Sequence, residues 1–286
     1  IRKKLQDQLD KIFEYSPDLI LDISDECSVV SYVYAKYFTT LYILMRGYVS
    51  CSFFTYLAGR DEKLTTAQNE YYKCPIKTAQ YLKMDSELYI KSPKPLKTYS
   101  RSDFGCAADD FLFITVGYRL NSELSKEFID KICWQVLSRP NMKWFVVGER
   151  NNYLMEMKER FESKIVYIPY EDDLPALYKI CDVYLNPPRM GGGTSISWAM
   201  HYGLPVVMSS APNDKSKFAL ISGLVYSSSE EMVNCLIALQ ENSKFFAQCK
   251  EIAKGRAAAQ SSEKQRQLWL KLISQVEERQ QLSTLS

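Results

Sequence analysis

The chain has 286 residues, enough for one large α/β domain or two smaller ones, each with a real core. A composition of 46% hydrophobic and 24% charged residues excludes a disordered chain, and a formal charge of +2 implies no nucleic-acid-binding surface. No apolar run approaches membrane-spanning length, since residues 39–48 are too short and contain Arg46; eight singly spread cysteines with one histidine argue for buried reduced thiols rather than zinc. In chain order, an amphipathic helix is expected over residues 2–15, a strand over 17–23, a helix over 29–37 and a strand over 40–44. A tyrosine-rich, mostly helical region follows, then a short apolar run at 87–90. Twelve of the twenty tyrosines fall before residue 100, and amphipathic core edges account for them better than a ligand surface does. Residues 91–102, with two prolines among serines and lysines, read as a linker.

The second half is more regular. Short apolar runs at 111–116, 143–147, 164–168, 182–186, 204–208 and 223–226 alternate with helical patterns at 122–137, 172–181 and 194–202. That alternation predicts βαβ units, a parallel sheet and a Rossmann-like domain. Helices follow the serines at 227–229, and Leu268, Trp269, Leu272, Ile273 and Val276 stripe a long terminal helix. The expected organisation is a partial first domain with linker over 1–104, a second domain over 105–262, and a terminal helix over 263–286 packing back on the first. The chain starts at Ile1 with no signal peptide in view, and the first domain reads as about half of a doubly wound unit, so its first strands are expected to precede Ile1.

The chemistry concentrates at the end of the fourth of these strands, in Asn186-Pro-Pro-Arg-Met-Gly-Gly-Gly-Thr-Ser. Glycines let backbone approach a bulky anion, and the first free N–H groups of the following helix point at it with the helix dipole behind them. Thr194 and Ser195 add hydroxyl donors. The run lacks the lysine of an ATP-binding loop and the Gly-x-Gly-x-x-Gly spacing of a dinucleotide site. A diphosphate suits it.

Four segments in order resemble the donor-binding domain of GT-B glycosyltransferases, especially the large retaining family with a Glu-x7-Glu motif. They are Thr115-Val-Gly-Tyr-Arg-Leu, Phe145-Val-Val-Gly-Glu, Val166-Tyr-Ile-Pro-Tyr with 174–185, and 191–207. The resemblance implies two Rossmann-like domains facing a cleft, the first of them incomplete. It also implies that Arg119 and Lys126 neutralise the leaving nucleotide diphosphate, where fixed cations stabilise developing charge. Gly117, Glu149, Tyr167, Ile168, Gly191, Gly192, Gly193, Thr194 and Ser195 would bind the donor, with Tyr167–Tyr170 meeting the base through backbone groups. In the first domain, Asp25 is the candidate general base and Arg46 stands where the family often has a histidine beside the donor sugar. His201 sits too far along its helix to be a catalyst.

Two departures matter. Met190 and Trp198 occupy the places of the family's two glutamates. The leading expectation is a metal-independent glycosyltransferase with no cofactor. It would move a sugar from a nucleotide-diphosphate sugar to a hydroxyl of a glycan, glycolipid or protein-linked acceptor. It is expected in the cytoplasm, including the inner face of the membrane, and with no nucleic-acid partner. A non-catalytic glycosyltransferase-like subunit and a sugar-nucleotide epimerase are the alternatives, and the lone histidine argues against the epimerase.

Overall fold

The computed structural model describes residues 2–23, 29–43, 54–59, 80–84, 92–189, 192–209, 225–226, 228–259 and 262–284. Two compact units emerge: Ile1–Leu88 with Ser262–Ser286, and Tyr89–Ser261.

The first unit is built on four parallel strands, β1 (Ile20–Asp22), β2 (Thr40–Ile43), β3 (Tyr56–Gly59) and β4 (Gln80–Lys83), neighbouring one another in chain order. Their inner side chains Leu41, Ile43, Tyr56, Ala58 and Leu82 form a core with Leu268, Leu272 and Val276 of the terminal helix Ser262–Thr284. The stripe on that helix needs an apolar partner, and the sheet supplies it. Strands β3 and β4 correct the expectation of a mostly helical tyrosine-rich region. Tyr56, Leu57 and Ala58 are all buried, so they show no alternation, and a short apolar run without a period does not distinguish strand from helix. β4 buries only Leu82 fully. At the end of β1, buried Asp22 accepts hydrogen bonds from Ser31 Oγ at 2.8 Å and from the Tyr34 hydroxyl, tying helix Val29–Tyr34 to the strand. Burial, then the Asp22 carboxylate, pushes the Tyr34 hydroxyl above its ordinary range. Asp25, Arg46 and the apolar run 87–90 lie outside the described residues.

The second unit holds six parallel strands: β5 (Phe111–Gly117), β6 (Met142–Gly148), β7 (Ile165–Ile168), β8 (Val183–Asn186), β9 (Val206–Ser209) and β10 (Val225–Tyr226). All six expected strands are present, in the order β10-β9-β8-β5-β6-β7. Helices covering both faces bury the central strands, so β6 reads as an apolar run interrupted by Lys143 and β8 as an apolar run that ends in buried Asn186. Each buried large side chain contributes about 1.5–3 kcal/mol, which is why Trp144, Phe113 and Phe145 dominate this core. The helix expected over 122–137 is broken. Helix Leu120–Glu123 ends, Ser125 caps a new start by accepting from Phe128 N at 3.2 Å, and Lys126–Lys131 runs into a π-helical turn, Ile132–Leu137.

At the N-terminal end of this sheet, charged groups are paired among themselves. Arg101 Nη2 reaches both oxygens of Asp182 at 2.9 and 3.0 Å, and Asp182 also accepts from Leu112 N at 2.8 Å. Lys143 pairs with Asp110 at 3.0 Å and donates to Gly105 O at 2.7 Å. The stretch read as a linker is fastened at the opposite end, to the loop that follows β7. Asp173 accepts from the amides of Leu96 and Lys97, both at 2.6 Å, and Lys97 Nζ pairs with Glu171 and Asp172.

Candidate functional site

The order β10-β9-β8-β5-β6-β7 reverses direction between β5 and β8. In open parallel sheets, ligands bind outside the carboxyl ends of the strands at that reversal. Gly117 ends β5 there and Asn186 ends β8. The chain after each strand supplies the site.

After β5, Tyr118 is 75% exposed and Arg119 opens helix Leu120–Glu123. The Arg119 guanidinium lies 5.2 Å from the Tyr118 ring centroid. Its Nε and Nη2 donate to Glu123 Oε1 at 3.0 and 2.9 Å, while the side chain stays 40% exposed. After β6, Glu149 accepts from Asn121 N at 3.1 Å, and its own N–H donates to Gly117 O at 3.1 Å, so it braces the start of that helix. Tyr167 of β7 donates its hydroxyl to Gly148 O at 3.0 Å. Ile168 ends β7, and Tyr170 beyond it is 80% exposed.

After β8 the chain turns through Pro187, Pro188 and Arg189. The Arg189 side chain is only 2% exposed. Its guanidinium donates to Asn186 Oδ1 at 2.8 Å, Val116 O at 2.7 Å, Glu123 Oε2 at 3.1 Å and the Tyr184 hydroxyl at 3.3 Å. Burial pushes the Tyr184 hydroxyl up, and Arg189 opposes this. The buried Tyr178 hydroxyl has no hydrogen-bond partner among the described residues, and burial pushes it well above its ordinary range as well.

The helix Gly193–His201 starts at the same edge. Gly192 precedes it at φ +87°, a conformation that favours glycine, and no side chain caps the helix. The first amides of a helix have no partner within the helix itself, and Gly192 has no side chain to offer them. Thr194 is exposed and Ser195 half-buried at this start, while His201 is exposed at the far end.

The glycines do not all serve as the sequence suggested. A Cβ on Gly192 would meet Asn186 Oδ1 at 2.5 Å and Arg189 Nη2 at 2.9 Å, and one on Gly117 would collide with Arg189 Nη1. Both positions make room for a buried guanidinium rather than for a ligand. Of the three described candidate glycines, Gly117, Gly192 and Gly193, the last alone faces open space, with nothing within 4 Å of a Cβ built on it. Gly191 lies outside the described residues, as does Met190.

The structure thus brings together Arg119, Gly117, Glu149, Gly192, Gly193, Thr194 and Ser195 around the ends of β5 and β8. It does not join Lys126 to them by a direct contact: exposed Lys126 holds its Nζ 4.7 Å from the Tyr153 ring centroid. Trp198, which the sequence resemblance aligns with a family glutamate, has a buried indole Nε1 with no partner among the described residues. Sequence reasoning missed Arg189, Glu123 and Asn186. The available signal was a lone arginine between two prolines and three glycines, where a surface loop would need none. Two guanidinium groups share the Glu123 carboxylate here, one of them half-exposed, beside a helix start whose N-cap residue carries no side chain, with Glu149 as the second carboxylate of the edge. Such an edge suits a phosphate or diphosphate.

Residues 110–242 match the profile of the family described as glycosyl transferases group 1. No curated protein matches the chain in sequence. Among solved structures, an O-GlcNAc transferase mutant from Thermobaculum terrenum is similar at 17% identity and a TM-score of 0.72, over 99% of this chain and 57% of that one. The pneumococcal O-GlcNAc transferase GtfA, in complex with UDP and GlcNAc, is similar at 14% identity and a TM-score of 0.67, over 94% and 59%. HepE from Anabaena, in complex with UDP, is similar at 15% identity and a TM-score of 0.66, over 94% and 82%. The chain spans under two thirds of the length of the two O-GlcNAc transferases. Among the described residues no helix is long and apolar enough to cross a membrane.

Proposed function

From a chain that has the GT-B fold and carries a glycosyl transferases group 1 domain over residues 110–242, we infer a glycosyltransferase that uses a nucleotide-diphosphate sugar. The observation that carries this reading is the pairing of half-exposed Arg119 with the uncapped start of helix Gly193–His201 at the switch point of the second sheet. In the transfer, an acceptor hydroxyl oxygen bonds to the anomeric carbon while the bond from that carbon to the diphosphate oxygen breaks. The leaving oxygen keeps the electron pair, and the hydroxyl proton passes to a base or to the departing phosphate. Fixed positive charge lowers the barrier because negative charge grows on the diphosphate as the bond breaks.

UDP is the proposed nucleotide, supported by its presence in the GtfA and HepE complexes. The base would lie along the ends of β6 and β7, by Glu149, Tyr167 and Ile168. The acceptor hydroxyl would belong to a glycan, a glycolipid or a protein-linked sugar, with Asp25 as the base if the reaction inverts and Arg46 beside the sugar. Lys126 would reach the diphosphate only by leaving Tyr153.

A non-catalytic glycosyltransferase-like subunit is the second reading. It is favoured by Trp198, an aromatic residue with an unpartnered indole N–H where the resembling family has a carboxylate. The two readings separate by measuring UDP release from a panel of UDP-sugars, with and without oligosaccharide and peptide acceptors. Turnover stimulated by an acceptor supports the enzyme. UDP-sugar binding with neither hydrolysis nor transfer supports the subunit.

A further inference from the structure

Glu123 holds two arginines at once. Its Oε1 accepts both the Nε and Nη2 donors of Arg119, and its Oε2 accepts Nη1 of Arg189. The two guanidinium groups differ in setting. Arg119 is 40% exposed, whereas Arg189 is 2% exposed and bonded to Val116 O, Asn186 Oδ1 and the Tyr184 hydroxyl, groups that belong to β5 and β8. Arg189 is therefore fixed by the sheet, Glu123 by Arg189, and Arg119 by Glu123.

We propose that Glu123 is a positioning residue that presets Arg119 for a diphosphate, and that Arg189 anchors it to the ends of β5 and β8. The proposal rests on the reading of this edge as the nucleotide site. A long side chain such as arginine loses rotamer freedom when it grips a ligand, and one already held loses less. The relay also gives Gly117 and Gly192 their reason: each lacks a side chain where the Arg189 guanidinium lies. The resemblance-based reading assigned no role to Glu123 or Arg189.

Electrostatics alone makes the opposite forecast, which renders the proposal testable. Glu123 is a negative charge beside an anion site, so its neutralisation would strengthen UDP binding if it were merely a neighbour. The positioning role requires weaker binding. The experiment is a double-mutant cycle on the full chain, with UDP titrated calorimetrically into wild type, Glu123→Gln, Arg119→Ala and the double variant, and thermal midpoints recorded for each. Glu123→Gln is expected to weaken UDP about fivefold to tenfold, in line with loss of one charge-assisted contact. In the Arg119→Ala background the same change is expected to leave affinity unchanged or to raise it, because there is no longer an arginine to preset. A merely structural role would weaken binding in both backgrounds. Glu123→Asp, too short to span both arginines, is expected to fall between wild type and Glu123→Gln, and it carries the test if the glutamine variant does not fold.

Tighter UDP binding by Glu123→Gln, or equal weakening in both backgrounds, would overturn the relay while leaving the nucleotide site in place. If Arg119→Ala itself binds UDP as wild type does, the nucleotide site is wrong and the relay falls with it.

Discussion

The two ends of the second unit's sheet are built from the same chemistry and differ in one respect. At the N-terminal end, Arg101 and Lys143 face Asp182 and Asp110, two positive charges against two negative, and backbone groups take up further hydrogen-bonding capacity. At the C-terminal end, Arg119 and Arg189 share Glu123, and helix Gly193–His201 begins without a side-chain cap. One end is closed on itself. At the other, a half-exposed arginine stands beside a helix start whose N-cap residue carries no side chain, the combination on which the proposed diphosphate site rests. Buried ion pairs are thus no sign of function in themselves.

Breaking the closed end is expected to have the largest effect on stability and the smallest on binding. Asp182→Ala leaves Arg101 partly buried without its carboxylate and should cost about 3 kcal/mol, read from urea unfolding. The folded fraction should still bind UDP as wild type does. Disturbing the open end should do the reverse in part. Gly192→Ala forces a side chain into a left-handed conformation and against Asn186 and Arg189, a cost of about 1–2 kcal/mol in stability. It should also weaken UDP severalfold, since the displaced Arg189 holds Glu123. A Gly192→Ala protein with unchanged UDP affinity would show that the guanidinium network and the binding edge are independent.

The smallest effect concerns the Lys97 ion pairs in the loop after β7 in acid. Pairing with Lys97, followed by the Glu171 contact, lowers the Asp172 carboxyl below its ordinary range. A carboxyl that titrates lower in the folded chain stabilises it fully above the ordinary carboxylate range. That contribution is lost as the pH falls through the lowered value. Lys97→Ala should therefore have a slightly lower urea midpoint than wild type near neutral pH, and the difference should shrink as the pH falls below the ordinary carboxylate range. A difference that grows in acid would place the Lys97 contribution elsewhere than in its carboxylate partners.

Much of the second unit was legible because its strands are buried on both faces and its helices carry local start signals. Phe111–Gly117 and Met142–Gly148 read as mostly apolar runs, and Asn151, Asp173 and Ser228 cap the helices that follow β6, β7 and β10. In the first unit, β3 and β4 are four residues each, too short for a period to show. The site was half legible. The glycine run pointed to the edge at the ends of β5 and β8, but the sequence could not show that Gly192 leaves room for the Arg189 guanidinium. Nor could it show that Glu123, which reads as an ordinary helix surface residue, lies between two arginines from separate strand ends. The Arg189–Glu123 contact joins residues 66 positions apart and depends on β5 and β8 being neighbours.

The central claim is that the open end binds a diphosphate through Arg119. Calorimetric titration of wild type and Arg119→Ala with UDP and with uridine tests it most directly, because the two ligands differ only in the diphosphate. The expected result is UDP binding weakened by about 2 kcal/mol, roughly thirtyfold, with weak uridine binding unchanged. Equal affinity of both proteins for UDP, or an equal loss for UDP and uridine, would contradict it.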